Sequence, residues 1–158
     1  MIKAIIFDFS RVILFPKEKA YQGGLNPRHD ELSKRPGYSF FDHFELNDEL
    51  LKVIKDMKKR FDVYVFTTGH IQNVPEVRQE IEGVFKKVIS AEEIPFGKKD
   101  PQSYLYVLDH FGLKPNEVLY IDDTVGNIEV ANKAGISTIH FTDNDTLMRD
   151  LRSRKILV

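Results

Sequence analysis

The sequence predicts an α/β fold in which a mostly parallel sheet lies between two layers of helices. Short apolar runs rich in β-branched and aromatic residues alternate along the chain with segments whose apolar residues recur at helical spacing. Proline begins some of the helical segments and glycine ends others, as is typical of helix termini. Strands and helices that alternate in this way indicate βα units, whose successive strands run parallel.

Five segments each predict one strand of the sheet. They are short apolar runs that end in polar or turn-forming residues, which is the pattern of strands buried in a parallel sheet. In chain order they are 3–9, 62–69, 86–91, 117–123 and 137–141.

Helices are predicted between and after these strands. In the segment 47–61 the apolar residues recur at helical spacing, and Asn47 or Asp48 is suited to cap the first turn. Pro75 begins the next helical segment, because proline is well tolerated in a first turn. After 47–61, the predicted helical segments in chain order are 74–85, 100–112, 125–135 and 143–154.

Residues 16–45 do not follow the alternation. The segment is rich in glycine, proline and charged residues, and it is too short for an independent core. We therefore expect a single domain over 1–158 with a small cap-like insertion at 16–45, after the first strand. The aromatic cluster near the end of this insertion is expected to pack onto the main body: Tyr38, Phe40, Phe41 and Phe44.

The composition excludes several classes of protein. A formal net charge of -1 gives no specific signal for nucleic-acid binding. The chain has no cysteine, which excludes disulfides, thiol catalysis and cysteine metal sites. No apolar stretch approaches the roughly 20 residues that cross a bilayer. We therefore expect a cytoplasmic protein with no membrane partner.

Polar residues stand where the predicted strands end. Ligands of open α/β sheets bind at the carboxyl ends of the strands, so these residues are the candidates for function. They are Asp8 and Ser10 after the first strand, Thr67, Thr68 and Gly69 after the second, Lys98 after the third, and Asp122 and Asp123 after the fourth.

Together these residue types predict a phosphoryl-transfer site. Carboxylates crowded at one sheet edge disfavour one another's charge, and Mg²⁺, which prefers oxygen ligands, removes that penalty. A hydroxyl and backbone N–H groups at a strand-to-helix turn can bind an anion. A neighbouring lysine neutralises charge that develops during reaction, and a carboxylate can act as the nucleophile.

Four motifs resemble, in order and content, those of the haloacid dehalogenase-like (HAD) superfamily. They are IIFDFS at 5–10, VYVFTTG at 63–69, GKKDPQSY at 97–104 and LYIDDTVGNIEVA at 119–131. The resemblance covers nearly the whole chain outside the insertion. It implies a Rossmann-like three-layer sandwich whose five-stranded sheet has the order 5-4-1-2-3, with the first and fourth strands side by side.

The resemblance also implies a role for each motif residue. Asp8 matches the nucleophile that forms an aspartyl-phosphate, and Lys98 matches the lysine that orients it. The phosphoryl group would be bound by the Thr67 hydroxyl and the Thr68 amide, with Gly69 alongside. Mg²⁺ would be held by Asp8, Asp123, Asp122 and the backbone carbonyl of Ser10, and Asn127 stands where many members have a further acid.

Ser10 departs from the phosphatase pattern. Phosphatases of the family usually carry aspartate here, as general acid for the leaving group and then as base for water. A serine hydroxyl has no useful pKa for either task near neutrality, and such assistance is worth roughly 10²–10⁴-fold. We therefore expect a slow Mg²⁺-dependent phosphohydrolase.

Two other functions remain open at this stage. Relatives that hydrolyse C–halogen or C–P bonds also lack the second aspartate, although the dehalogenases need no Mg²⁺. The domain could instead bind a phosphorylated ligand or a protein partner without turnover. The short insertion implies an open site, which suits a phosphorylated small molecule or macromolecule, or a homodimer in which the neighbouring subunit covers the site.

Overall fold

The computed structural model describes all residues, 1–158, and contains seven strands and seven α-helices. The strands are β1 (Ala4–Phe7), β2 (Leu14–Pro16), β3 (Phe44–Leu46), β4 (Asp62–Thr67), β5 (Lys87–Ser90), β6 (Val118–Asp122) and β7 (Ser137–His140). The helices are α1 (Leu25–Leu32), α2 (Phe40–His43), α3 (Asp48–Met57), α4 (Pro75–Ile81), α5 (Pro101–Phe111), α6 (Val125–Lys133) and α7 (Asn144–Ser153). None of these helices is both long enough and apolar enough to span a membrane.

Five parallel strands form the central sheet, in the order β5-β4-β1-β6-β7. Counted among these five in chain order, this is 3-2-1-4-5, which is the predicted order 5-4-1-2-3 viewed from the other edge. The register aligns Phe7 with both Val65 and Ile121. The residues that follow β1, β4 and β6 therefore emerge side by side at one edge of the sheet.

Helices cover both faces of the sheet, and successive side chains of a strand point to opposite faces. Ile5 and Phe7 of β1 pack into the larger core with residues of α3, α4 and α7. Ala4 and Ile6 face the opposite way, into a smaller core with residues of α5 and α6. The predicted α/β class with helices on both faces is confirmed.

Most predicted element boundaries agree with the structure to within a few residues. Asn47, one of the two suggested caps, accepts a hydrogen bond from the Leu50 amide at the start of α3. The largest errors are the helices predicted over 47–61 and 74–85, because α3 ends at Met57 and α4 ends at Ile81. Gly83 follows with φ of +71°, a left-handed conformation that suits glycine and turns the chain toward β5.

Residues 16–45 contain structure that the sequence pattern does not predict. Two helices, α1 and α2, lie in the segment, and its ends form the antiparallel pair β2–β3. Phe40 and Phe44 are buried in the larger core, and Tyr38 and Phe41 pack against it. The expected docking of the aromatic cluster is thus confirmed, and this packing holds α1 close to the carboxyl end of the sheet.

Asn47 should contribute measurably to the stability of the fold. Its Nδ2 donates to the Val12 carbonyl (3.0 Å) and to Oδ1 of Asn144 (2.8 Å), while its Oδ1 caps α3. Its Oδ1 also accepts from Nδ2 of Asn144 (2.9 Å). Asn47→Ala removes all four bonds, so we expect the free energy of unfolding to fall by about 1–3 kcal/mol. Denaturant titration measures this change, and Lys52→Ala, on the exposed side of α3, should stay within about 0.5 kcal/mol of wild type.

Candidate active site

Lys98 joins the carboxyl ends of three adjacent strands. Its Nζ lies 3.0 Å from Oδ1 of Asp8, 3.0 Å from Oδ2 of Asp122 and 3.2 Å from the carbonyl oxygen of Phe66. The lysine reaches these groups from the loop that precedes α5, where Asp100 caps the helix. It is only 3% exposed, so this ion pair is shielded from water.

Asp122 is held from several sides by protein donors. One of its oxygens accepts the Thr124 amide (2.8 Å), and the other accepts Lys98, the Tyr120 hydroxyl and Nδ2 of Asn127 (3.0 Å). Its side chain is fully buried. Both of its carboxylate oxygens are thus engaged, and Asp122 acts as a fixed anchor for Lys98.

Burial and charge set the pKa values of the cluster. Burial, with added repulsion from Asp122 and Asp123, raises the pKa of Asp8 to about 7, although Lys98 opposes the rise. Burial alone would lower the pKa of Lys98, but its two carboxylate partners hold it above its ordinary value. Burial would raise the pKa of Asp122, but Lys98 and the Tyr120 hydroxyl keep it low. Burial and the nearby Asp122 raise the pKa of Asp123.

The acidic residues fit a divalent cation with oxygen ligands. One carboxylate oxygen from each of Asp8, Asp122 and Asp123 lies within 4.8 Å of the other two. Protein groups donate four hydrogen bonds to Asp122 but one each to Asp8 and Asp123, so these two carboxylates keep the larger acceptor capacity for a cation. No backbone donor reaches the carbonyl oxygen of Ser10, and its hydroxyl is buried without a hydrogen-bond partner. This hard-oxygen donor set is the type that Mg²⁺ prefers.

The loop after β4 brings uncharged residues to the site. Thr67 ends the strand beside Asp8 and is buried, whereas Thr68 is exposed and Gly69 is buried. The Gly69 carbonyl accepts hydrogen bonds from Nε2 of Gln72 (2.7 Å) and from the Ser90 hydroxyl (2.7 Å). The loop is therefore fixed at its base while Thr68 faces solvent.

The structure brings most of the sequence-derived candidates together. Asp8, Lys98 and Asp122 are in direct contact, Asp123 completes the acidic cluster, and Thr67 ends the neighbouring strand. Tyr120 is a contributor that the sequence analysis missed. It lies two residues before Asp122 on a strand, and residues so spaced share one face, so the pattern could have identified it.

Two further residues contact segments next to the candidate residues, and no sequence pattern pointed to them. Arg11 adopts φ of +62° directly after Ser10, and its guanidinium donates to the carbonyls of Tyr21 (3.0 Å) and Gly23 (2.8 Å). Asn26 of α1 contacts the loop after β4 through its side chain. Both belong to stretches without a regular pattern, so their contacts could not be read from the sequence.

Comparison with known proteins relates the chain to one family. The family model described as haloacid dehalogenase-like hydrolase matches residues 29–135, an interval that includes Thr67, Lys98 and Asp123. Flavin mononucleotide hydrolase 1 of Arabidopsis thaliana is 29% identical over 118 residues, covering 74% of this chain and 46% of that protein. A phosphoglycolate phosphatase of Pseudomonas putida is 24% identical over 136 residues, covering 78% of this chain and 50% of that protein.

Solved structures match the fold over a larger share of the chain. A HAD family enzyme from Bacteroides thetaiotaomicron, solved as a magnesium complex, is 17% identical with a TM-score of 0.65. The match covers 94% of this chain and 98% of that one, so it shows a common fold. By contrast, the chain spans about half the length of the two named relatives.

The raised pKa of Asp8 predicts a pH-dependent stability difference between wild type and Asp8→Asn in the presence of EDTA. The Asp8 carboxyl has an ordinary pKa of 3.8, and its folded pKa is about 7, so the folded state holds the extra proton between these values. Stability contributed by this group is present at low pH and is lost as pH rises through about 7. The free energy of unfolding of Asp8→Asn should therefore increase relative to that of wild type from pH 4 to 7.

Denaturant titrations across this pH range measure the difference. Ser10→Ala alters the same loop without removing a titratable group, so it should follow the wild-type curve. A difference between wild type and Asp8→Asn that stays constant with pH would show that the folded environment does not disfavour the Asp8 charge.

Proposed function

Because the chain belongs to the haloacid dehalogenase-like hydrolases, we propose that it is a Mg²⁺-dependent phosphohydrolase with Asp8 as its nucleophile. The observation that carries the proposal is the bond between Lys98 and one oxygen of Asp8, which leaves the second oxygen free beside Asp123. The names of its relatives include a phosphatase and a flavin mononucleotide hydrolase, which supports a phosphorylated substrate.

In this mechanism the free oxygen of Asp8 attacks phosphorus, and the bond from phosphorus to the leaving oxygen breaks. The product is a phosphoryl group bound to Asp8 as a mixed anhydride, and the released alcohol takes a proton from solvent. Lys98 orients the nucleophile and compensates its charge, while the Thr67 hydroxyl and the Thr68 amide bind phosphoryl oxygens. Water then attacks phosphorus, which releases inorganic phosphate and restores the carboxylate.

Asp8, Asp123 and the backbone carbonyl of Ser10 are the groups that would hold Mg²⁺. The magnesium complex of the Bacteroides enzyme, which has the same fold, supports this ion. Mg²⁺ bound there supplies positive charge against the phosphoryl oxygens and the carboxylates. This positive charge offsets the effects of burial and of repulsion between carboxylates, which raise the pKa values of Asp8 and Asp123.

Ser10 sets the expected rate and the preferred leaving group. Its hydroxyl is buried without a partner and cannot donate a proton near neutrality as a carboxylic acid can. Turnover should therefore be slow with alkyl phosphates and faster with aryl or acyl phosphates, whose leaving groups need no proton.

The same observation favours a second candidate function. With Ser10 in the position of the usual acid, the domain could bind a phosphorylated ligand or a protein partner without hydrolysing it. Intact Mg²⁺ and phosphate binding without turnover on a broad panel of phosphate esters would favour this alternative. Halide release without metal would instead indicate a dehalogenase.

The substrate class follows from the short segment 16–45. A small insertion leaves the carboxyl edge of the sheet open, which suits a phosphorylated small molecule or a phosphorylated macromolecule. A homodimer in which the neighbouring subunit covers this edge is the alternative arrangement.

We expect Mg²⁺-dependent release of phosphate from p-nitrophenyl phosphate. Asp8→Asn preserves the shape of the side chain but removes the nucleophile, so phosphate release should fall to the background rate. Removal of the metal with EDTA should have the same effect, and re-addition of Mg²⁺ should restore the wild type alone. Equal activity of wild type and Asp8→Asn would contradict the proposed mechanism.

Ser10→Asp should raise kcat by about 10-fold or more, because it places a carboxyl group where an acid and base is missing. Ser10→Asn is the matched control, since it has nearly the same volume and cannot transfer a proton in this way. The gain should be largest for alkyl phosphates, which need protonation of the leaving oxygen. If Ser10→Asn accelerates the reaction equally, side-chain size rather than proton transfer limits the rate.

A further inference from the structure

Asn26 connects the segment 16–45 to the loop that follows β4. Its Oδ1 accepts hydrogen bonds from the backbone N–H groups of His70 (2.8 Å) and Ile71 (2.7 Å). These amides come directly after 67–69, the stretch that binds the phosphoryl group in the proposed reaction. A single side-chain oxygen on α1 therefore holds the end of that stretch.

Gly69 permits this contact because it has no side chain. A Cβ atom at this position would lie 2.4 Å from the side-chain atoms of Asn26, far closer than atoms can pack. On its other side the Gly69 carbonyl is bound by Gln72 and Ser90. The loop is thus fixed between α1 and the base of the sheet, and the glycine supplies the space for it.

The same part of the chain is also bound to the loop that carries the nucleophile. Arg11 follows Ser10, and its guanidinium donates to the carbonyls of Tyr21 and Gly23, just before α1. Segment 21–26 therefore contacts the loops after β1 and β4, which lie on either side of the space that a phosphoryl group would occupy.

We propose that Asn26 is a positioning residue for phosphoryl transfer. By accepting from the His70 and Ile71 amides, it keeps the Thr67 hydroxyl and the Thr68 amide directed at the phosphoryl group. The inference rests on the proposed function, and it makes segment 16–45 a structural part of the site. The role depends on the acceptor oxygen of Asn26, since its Nδ2 forms no hydrogen bond within the protein.

Two variants separate the acceptor from the rest of the side chain. Asn26→Leu introduces a side chain of similar volume that has no acceptor. Because a small misplacement of reacting groups can lower the reaction rate about 100-fold, we expect kcat to fall by about 10- to 100-fold. Asn26→Asp keeps an acceptor, so kcat should stay within about threefold of wild type, while its added negative charge raises KM. Glu31→Gln, an exposed change on the same helix, is the control and should leave both constants unchanged.

Hydrogen exchange at the His70 and Ile71 amides, followed by NMR, tests the contact without turnover. Protection of both amides should be lost in Asn26→Leu and kept in Asn26→Asp. If wild type shows no turnover, the proposed function fails, and the inference is judged by exchange together with binding of inorganic phosphate. Phosphate binding should then weaken in Asn26→Leu.

A double-mutant cycle tests the close approach of Asn26 and Gly69. Gly69→Ala should lower kcat strongly in wild type, because the new methyl group displaces Asn26, and should have little further effect in Asn26→Ala. Additive effects of the two substitutions would overturn the inference. Unchanged kcat and exchange in Asn26→Leu would also overturn it, as would an equal loss of kcat in Asn26→Leu and Asn26→Asp.

Discussion

The contacts of the Lys98 ammonium group are the constraint on which the rest of the site depends. The group bonds to Asp8, to Asp122 and to a carbonyl at the end of β4, so it fixes the ends of β1, β4 and β6 relative to one another. Withdrawing this charge from water is unfavourable unless its partners are charged and well placed. The arrangement therefore requires both carboxylates, and it leaves Asp8 with one oxygen engaged and the other free.

Charge balance explains why the adjacent residues Asp122 and Asp123 have different roles. Lys98 supplies one positive charge to a cluster of three carboxylates. Asp122 receives most of the compensation, because donors from Tyr120, Asn127 and the Thr124 amide are directed at it. The remaining negative charge lies on Asp8 and Asp123, where a divalent cation and the phosphoryl group that it neutralises would bind. The fold thus places Asp122, which anchors Lys98, directly before Asp123, the acid proposed to hold Mg²⁺.

The sequence predicts the parts of the site that follow from regular structure. Parallel βα units bring Asp8, Thr67 and Asp122 to one edge of the sheet whatever the details of packing, and the family motifs supply the strand order. Local periodicity carries no information about segment 16–45, whose contacts depend on tertiary packing. The contact of Asn26 with the loop after β4 and the left-handed conformation of Arg11 are therefore visible only in three dimensions.

Direct detection of the phosphorylated nucleophile tests the central claim that Lys98 holds Asp8 as the reactive carboxylate. Protein turning over p-nitrophenyl phosphate with Mg²⁺ is quenched with acid and reduced with borohydride, which converts an aspartyl phosphate to homoserine. The account predicts homoserine at position 8, identified by mass spectrometry of the peptide, and no conversion at Asp122 or Asp123. Phosphate release with position 8 unmodified under conditions that trap such intermediates, or conversion at another acid, would contradict it.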